Sequence, residues 1–180
     1  MNHSFAKIAI ILFSVFGTQL LHAQFFKKNF YYEGEVGGIT SFFVKDADGE
    51  TQIMTLGGLS FRGGLGVHNE ENSLFLGIHS GIEGNFRHET GILPVYLNSK
   101  VALELENEAF IILAFGYGKS FQMGSENLKG FLRKYTVGFA GLTKRGNMNT
   151  FFIEINNHGF YFPNGVRAVT LNVGLTFSFL

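Results

Sequence analysis

Cysteine and tryptophan are absent from the 180-residue chain, and proline occurs only twice. Without cysteine there is no disulfide framework, no thiolate metal site, no cysteine nucleophile and no lipid-modified N-terminal cysteine. A charge excess of either sign is missing as well, with 14 Lys+Arg set against 14 Asp+Glu. That excludes a nucleic-acid surface, which needs a clustered basic excess. Charged residues make up 16% and hydrophobic residues 46%, a balance that excludes intrinsic disorder. What the chain has in abundance is glycine, 24 residues, and phenylalanine, 22 residues. Glycine averages about 7% in soluble domains; the excess here suits tightly curved strands with aromatic rims. The length allows one domain, at roughly 100–200 residues each.

Residues 1–23 read as a cleaved secretory signal peptide. Lys7 supplies the positive start, Ile8 to Phe16 is apolar apart from Ser14, and Leu21-His22-Ala23 precedes Gln24 with small-residue cleavage chemistry. The apolar run is shorter than the ~20 residues a spanning helix needs. Residues 24–180 form the mature domain. It holds no long apolar run, so any membrane embedding rests on strands.

The clearest strand is the last. Val169, Leu171, Val173, Leu175, Phe177 and Phe179 alternate with Ala168, Thr170, Asn172, Gly174, Thr176 and Ser178. Side chains alternate faces along a strand, so one face is wholly apolar and the other small or polar. The same period recurs seven more times between polar breaks: about Phe30–Phe43, Ile53–Val67, Ser73–Glu83, Ile92–Leu103, Ala109–Phe121, Phe131–Leu142 and Thr150–Asn157. The segment His158 to Val166 reads as the last loop. Eight strands in meander order remain, with no amphipathic helical segment.

Eight antiparallel strands close into a barrel and so remove their edges. A soluble barrel would carry an apolar lumen, a membrane barrel an apolar exterior. The lumen of an eight-stranded barrel is just wide enough to be filled by side chains. Here the polar phase is rich in Gly, Ser, Thr, Ala and Asn, which fit that space, whereas the Leu, Ile, Val and Phe of the other phase are too bulky to converge from eight strands. The apolar phase therefore faces out, an arrangement untenable in water but suited to lipid. Two aromatic girdles are expected at the interfaces: Phe30, Tyr31, Tyr32, Phe151, Phe152, Phe177 and Phe179 near the termini, and Phe42, Phe43, Phe86, Phe121, Phe131, Phe160, Tyr161 and Phe162 at the other rim.

The end of the chain, Asn172-x-Gly174-x-x-Phe177-x-Phe179, resembles the C-terminal assembly signal of bacterial outer-membrane barrels; Leu180 after the last aromatic is a small departure. With the signal peptide and eight alternating strands, the chain from Phe30 to Leu180 resembles small eight-stranded barrels of the OmpA/OmpX type. The resemblance implies an all-β, eight-stranded antiparallel up-and-down transmembrane barrel in the outer membrane of a Gram-negative cell. It also implies contact with outer-membrane lipid and lipopolysaccharide. In biogenesis, the barrel-assembly machinery would read Asn172, Gly174, Phe177 and Phe179.

The inward phase carries Glu33, Glu35, Arg62, His79, Glu83, Lys100, Lys134 and Glu154. Charges excluded from water need partners. The expected arrangement is a salt-bridge network centred on Arg62 and Lys100 with Glu35 and Glu154, plugging the lumen; a gated ion path is the alternative. Some small outer-membrane barrels modify lipid A, but a hydrolase needs Ser and His on one face, and the adjacent His79 and Ser80 point oppositely. His88 with Glu89, or His158 with Glu154, would need a further Ser. His68, His79, His88 and His158 lack metal-ligand spacing, and no cofactor is expected. The glycines of Gly57-Gly58 and Gly63-Gly64-Leu65-Gly66 lie within a strand and read as curvature rather than a phosphate loop. Gly57 and Gly63 are expected to face outward, where a neighbour can pack closely. Two non-catalytic roles stay open: a stand-alone surface barrel, or an accessory subunit of a larger outer-membrane secretion, uptake or assembly complex.

Overall fold

A computed structural model describes residues 29–45, 51–86, 89–106, 108–123, 128–161 and 167–180. The expected signal peptide, residues 1–23, lies outside the described residues, as do His88 and Phe162. Alternating sequence becomes eight strands: β1 (Phe30–Lys45), β2 (Thr51–His68), β3 (Leu74–Asn85), β4 (Thr90–Glu104), β5 (Ala109–Met123), β6 (Lys129–Leu142), β7 (Met148–Tyr161) and β8 (Arg167–Phe179). Each pairs antiparallel with its sequence neighbours, and β8 pairs with β1 to close the barrel.

Hydrogen-bonded partners followed once round the wall from Phe30 are Val67, Leu76, Ser99, Phe115, Tyr135, Ile155, Leu171 and then Thr40. The path returns to β1 ten residues further on, from position 30 to position 40. Such a stagger tilts the strands by roughly 35–45° from the barrel axis. It also decides which inward side chains share a level.

The burial pattern alternates strictly along most of the wall, as in β7 from Met148 to Tyr161. Phe61, Ile78, Leu97, Val137 and Ile153 are among the exposed large hydrophobics, whereas Arg62, His79, Asn98, Lys134 and Glu154 are buried. The outward phase is bulky and apolar on every strand, and the lumen takes the small and ionic residues together with a few large ones such as Tyr31, Tyr96 and Phe152. Two places interrupt the alternation. Between Ile39–Gly58 and Thr40–Leu56 the β1–β2 pairing slips by one. Gly57 is the extra residue there, a bulge that turns Leu56 outward; Gly57 itself is buried and does not face a neighbour. The β7–β8 register shifts between Asn157 and Tyr161, where Gly159 takes φ 73° and donates its N–H to Asn157 Oδ1 at 3.1 Å.

The lumen is layered. At the termini end Tyr31, Phe75, Ala102, Phe110, Ile112, Ala140 and Met148 form one buried apolar cluster. At the opposite end Ile92, Phe160 and Ala168 form another, with Leu128 against it. The ionic residues lie between them. This corrects the girdle assignment for three rings: Tyr31, Phe152 and Phe160 point inward, at 0%, 1% and 6% exposure. The small residues of the inward phase have a definite use here. A Cβ on Gly116 would meet the Tyr96 ring at 2.9 Å and Lys134 Cβ at 3.0 Å, and one on Gly174 would meet the Phe152 ring at 2.8 Å. Large inward rings therefore lie over glycines of the neighbouring strand, which is how a narrow barrel holds Tyr96 and Phe152.

Candidate functional site

The packed lumen is the candidate site, and it is built in three tiers. The central tier is set by Arg62 on β2, whose fully buried guanidinium lies 2.6 Å from Glu35 Oε1 on β1, 2.5 Å from Glu154 Oε1 on β7 and 3.8 Å from Glu83 Oε1 on β3. Lys134 on β6 faces the same pair of acids, 3.0 Å from Glu35 Oε2 and 2.6 Å from Glu154 Oε2, and donates to Tyr96 Oη at 3.1 Å. Glu154 also accepts from Thr136 Oγ1 (3.1 Å), Asn156 Nδ2 (2.7 Å) and Asn172 Nδ2 (3.3 Å). A carboxylate with this many donors and two cations is held in one geometry, which is the condition for a buried ion pair to offset its desolvation.

The tier toward the termini centres on Lys100. Its ammonium donates to Glu33 Oε2 at 2.7 Å and Ser178 Oγ at 3.2 Å, and lies over the Phe75 and Tyr31 rings, 4.4 and 5.3 Å from their centroids. Ser178 Oγ donates to the same Glu33 oxygen at 2.8 Å. His79 Nδ1 lies 3.6 Å from Glu33 Oε1, and its ring stacks on Tyr96 with centroids 5.4 Å apart. Of the four residues expected to form one network, the structure thus brings together Glu35, Arg62 and Glu154. Lys100 stands apart with Glu33, and Lys134 takes the place assigned to it. The stagger of the barrel is the cause, since it carries Lys134 rather than Lys100 to the level of Glu35 and Glu154.

The third tier, toward the opposite end, joins Ser120 on β5, His158 on β7 and Glu83 on β3. Ser120 Oγ lies 2.9 Å from His158 Nδ1, and His158 Nε2 lies 3.3 Å from Glu83 Oε2 and 3.4 Å from Thr170 Oγ1. The reading of His158 as a loop residue is corrected: β7 continues to Tyr161, and His158 points into the lumen at 0% exposure. Its spacing from Glu154 and Asn156, four and two residues back on the same face, is the signal that would have found it. Ser120, His158 and Glu83 follow the order of a catalytic triad, yet all three are at 0% exposure, closed in between the central tier and the apolar layer of Ile92, Phe160 and Ala168.

Across the three tiers four carboxylates, Glu33, Glu35, Glu83 and Glu154, meet Arg62, Lys100 and Lys134, with His79 and His158 beside Glu33 and Glu83. Among the described residues no group of three His, Asp or Glu is placed to hold a metal ion. The C-terminal motif divides between the two faces. Asn172 is buried on Glu154, Gly174 lies against Phe152, and Phe177 and Phe179 face outward, Phe179 stacked on Tyr32 with centroids 4.7 Å apart.

No family model and no curated protein matches the chain. Among solved structures, the crystal structure of Neisserial surface protein A is similar, with a TM-score of 0.62 and 11% identity over 83% of this chain and 95% of that one. What the two share is the fold, a small eight-stranded antiparallel membrane barrel.

Proposed function

We propose that the protein is a non-enzymatic integral outer-membrane barrel with a plugged lumen, acting as a structural or accessory subunit of a larger outer-membrane secretion, uptake or assembly complex. The observation that carries the reading is the layered lumen: a cross-linked ionic centre between two apolar clusters fills the space a conducting path or a substrate would need. The outer-membrane location rests on the apolar exterior, on the signal-like residues 1–23 and on the fold shared with a surface protein. The N-terminal leader would be removed on export, and Asn172, Gly174, Phe177 and Phe179 would serve the barrel-assembly machinery.

The lipid A enzyme alternative has a specific candidate in Ser120–His158–Glu83, and burial argues against it, since an ester would have to displace the Ile92–Phe160 layer to reach Ser120. The subunit role draws on a flat strip of wall. Gly34, Gly63 and Ser80 are register partners across β1, β2 and β3 on the outward face, and nothing stands within 4 Å of a Cβ built on Gly34. Purification of the tagged protein in a neutral detergent, followed by mass spectrometry of what travels with it, tests this. A stoichiometric outer-membrane partner is expected. A clean monomer under conditions that preserve other outer-membrane complexes contradicts the subunit role and leaves a stand-alone barrel.

A further inference from the structure

The outward face of β5 and β6 differs from the rest of the described wall. Lys119, Lys129 and Arg133 are exposed on it, in three successive outward rows fixed by the pairs Tyr117–Arg133, Lys119–Phe131 and Phe121–Lys129. No side chain of the three has an ion-pair or hydrogen-bond partner among the described residues. They gather toward the end opposite the termini, whereas the turns at the termini end expose Glu70, Glu71, Glu104, Glu106 and Glu108 against Lys144 and Arg145. The Tyr117 and Phe131 rings stack between the cations, 13° from parallel, as aromatic side chains do at a membrane interface. Lys and Arg so placed lay their stems along apolar wall and lift their charge toward the headgroups.

Directly below these rows the same strands carry an outward cleft of about 600 Å³. It runs diagonally across β4–β7 between two register rows, Ser99–Phe115–Tyr135–Ile155 and Val101–Leu113–Val137–Ile153. Its walls are almost wholly hydrocarbon. A cationic patch over an apolar cleft is complementary to an amphiphile with an anionic head. Arg133 and Lys129 are four residues apart on one strand, roughly 13 Å, a spread that suits a head bearing more than one phosphate.

We propose that this face binds lipopolysaccharide: Lys119, Lys129 and Arg133 hold the phosphates of its lipid A, and the cleft beneath takes an acyl chain. The inference rests on the outer-membrane reading above and places the lipopolysaccharide-rich leaflet at the end opposite the termini. It gives the barrel one lipid-facing side with a fixed partner, leaving the β1–β3 side free for protein contacts.

The test uses the full mature protein extracted from outer membranes into a neutral detergent and titrated by native mass spectrometry. The probes are bisphosphorylated lipid A, the same lipid dephosphorylated, and phosphatidylglycerol. A basic residue near an anionic surface contributes about fivefold in affinity, so the K119Q/K129Q/R133Q triple variant is expected to weaken lipid A binding about 100-fold. K144Q/R145Q at the other end should bind as the parent does, and Leu113→Trp, which fills the cleft, should weaken binding with the barrel still folded. Dephosphorylated lipid A and phosphatidylglycerol should both bind more weakly. Unchanged binding by the triple variant, or phosphatidylglycerol binding as tightly as lipid A, overturns the proposal. Unchanged binding by Leu113→Trp overturns its acyl-chain part. Failure of the parent reading is separable, because a protein absent from the outer-membrane fraction would show it before any lipid is added.

Discussion

Arg62→Met is the perturbation for which the lumen makes the strongest statement. The guanidinium holds Glu35 and Glu154 at 2.6 and 2.5 Å, with all three side chains at least nine-tenths buried. Removing one partner of a buried pair leaves an uncompensated charge and costs about 3–5 kcal/mol. Lys134→Met faces the same two acids and should fall in the same range. Because both cations serve the same carboxylates, the R62M/K134M double variant should depart from the sum of the singles by about 0.5–3 kcal/mol. Lys100 belongs to a separate tier with Glu33 and Ser178, so R62M and K100M, which share no partner, should add to within about 0.5 kcal/mol. Combining R62M with Glu35→Gln and Glu154→Gln removes the stranded charges and should recover much of the loss. The assay is urea-driven unfolding of the mature barrel in lipid vesicles, followed by circular dichroism and heat-modifiable gel mobility, since the chain has no tryptophan. An R62M loss below about 1 kcal/mol, or additive R62M and K134M beside coupled R62M and K100M, would refute the tiered arrangement.

Four further outcomes follow from the same geometry. Ile153→Arg, on the outward face of mid-β7, should cost about 2–4 kcal/mol in vesicles, and Leu103→Arg near the termini rim only about 0–1 kcal/mol; equal costs would remove the depth argument. Gly174→Ala should destabilise the barrel refolded without any assembly machinery by about 1–3 kcal/mol, because the added Cβ meets Phe152 and the β1 backbone. An effect confined to living cells would make Gly174 a recognition residue alone. In planar bilayers the protein should show no stepwise conductance, and Ser120 should resist a fluorophosphonate probe while the barrel is folded. Discrete channel openings or labelling at Ser120 would contradict the closed lumen.

The fold was legible because a strand in lipid obeys one rule: its outward face must be apolar where it crosses the hydrocarbon. Val169 to Phe179 shows that rule without interruption, and the same phase puts Arg62, Glu35 and Glu154 inside. Pairings across the lumen were not legible, because the stagger that brings Lys134 to Glu154 and Lys100 to Glu33 is a property of closure and leaves no mark on any single strand. Tyr31 and Phe152 were misplaced for a simpler reason. Their height along the barrel matches a girdle, but their face does not: Tyr31 is out of phase with the outward Phe30 and Tyr32, and Phe152 with the outward Phe151 and Ile153. His158 was hidden by its surroundings, since Asn156-Asn157-His158-Gly159 has the composition of a turn. The polar residues are there because they fill the lumen, and Gly159 is there because the strand bulges.

The absence of native cysteine makes the central claim directly measurable. Single cysteines placed in turn from Phe151 to Asn156 on β7 can each carry a spin label in lipid vesicles, and their collisions with lipid-soluble oxygen and with a water-soluble nickel chelate can be compared. The account predicts a period of two: labels at 151, 153 and 155 collide with oxygen, while those at 152, 154 and 156 collide with neither agent. Oxygen contact at the even positions, or water contact at the odd ones, would mean that the wall is turned the other way.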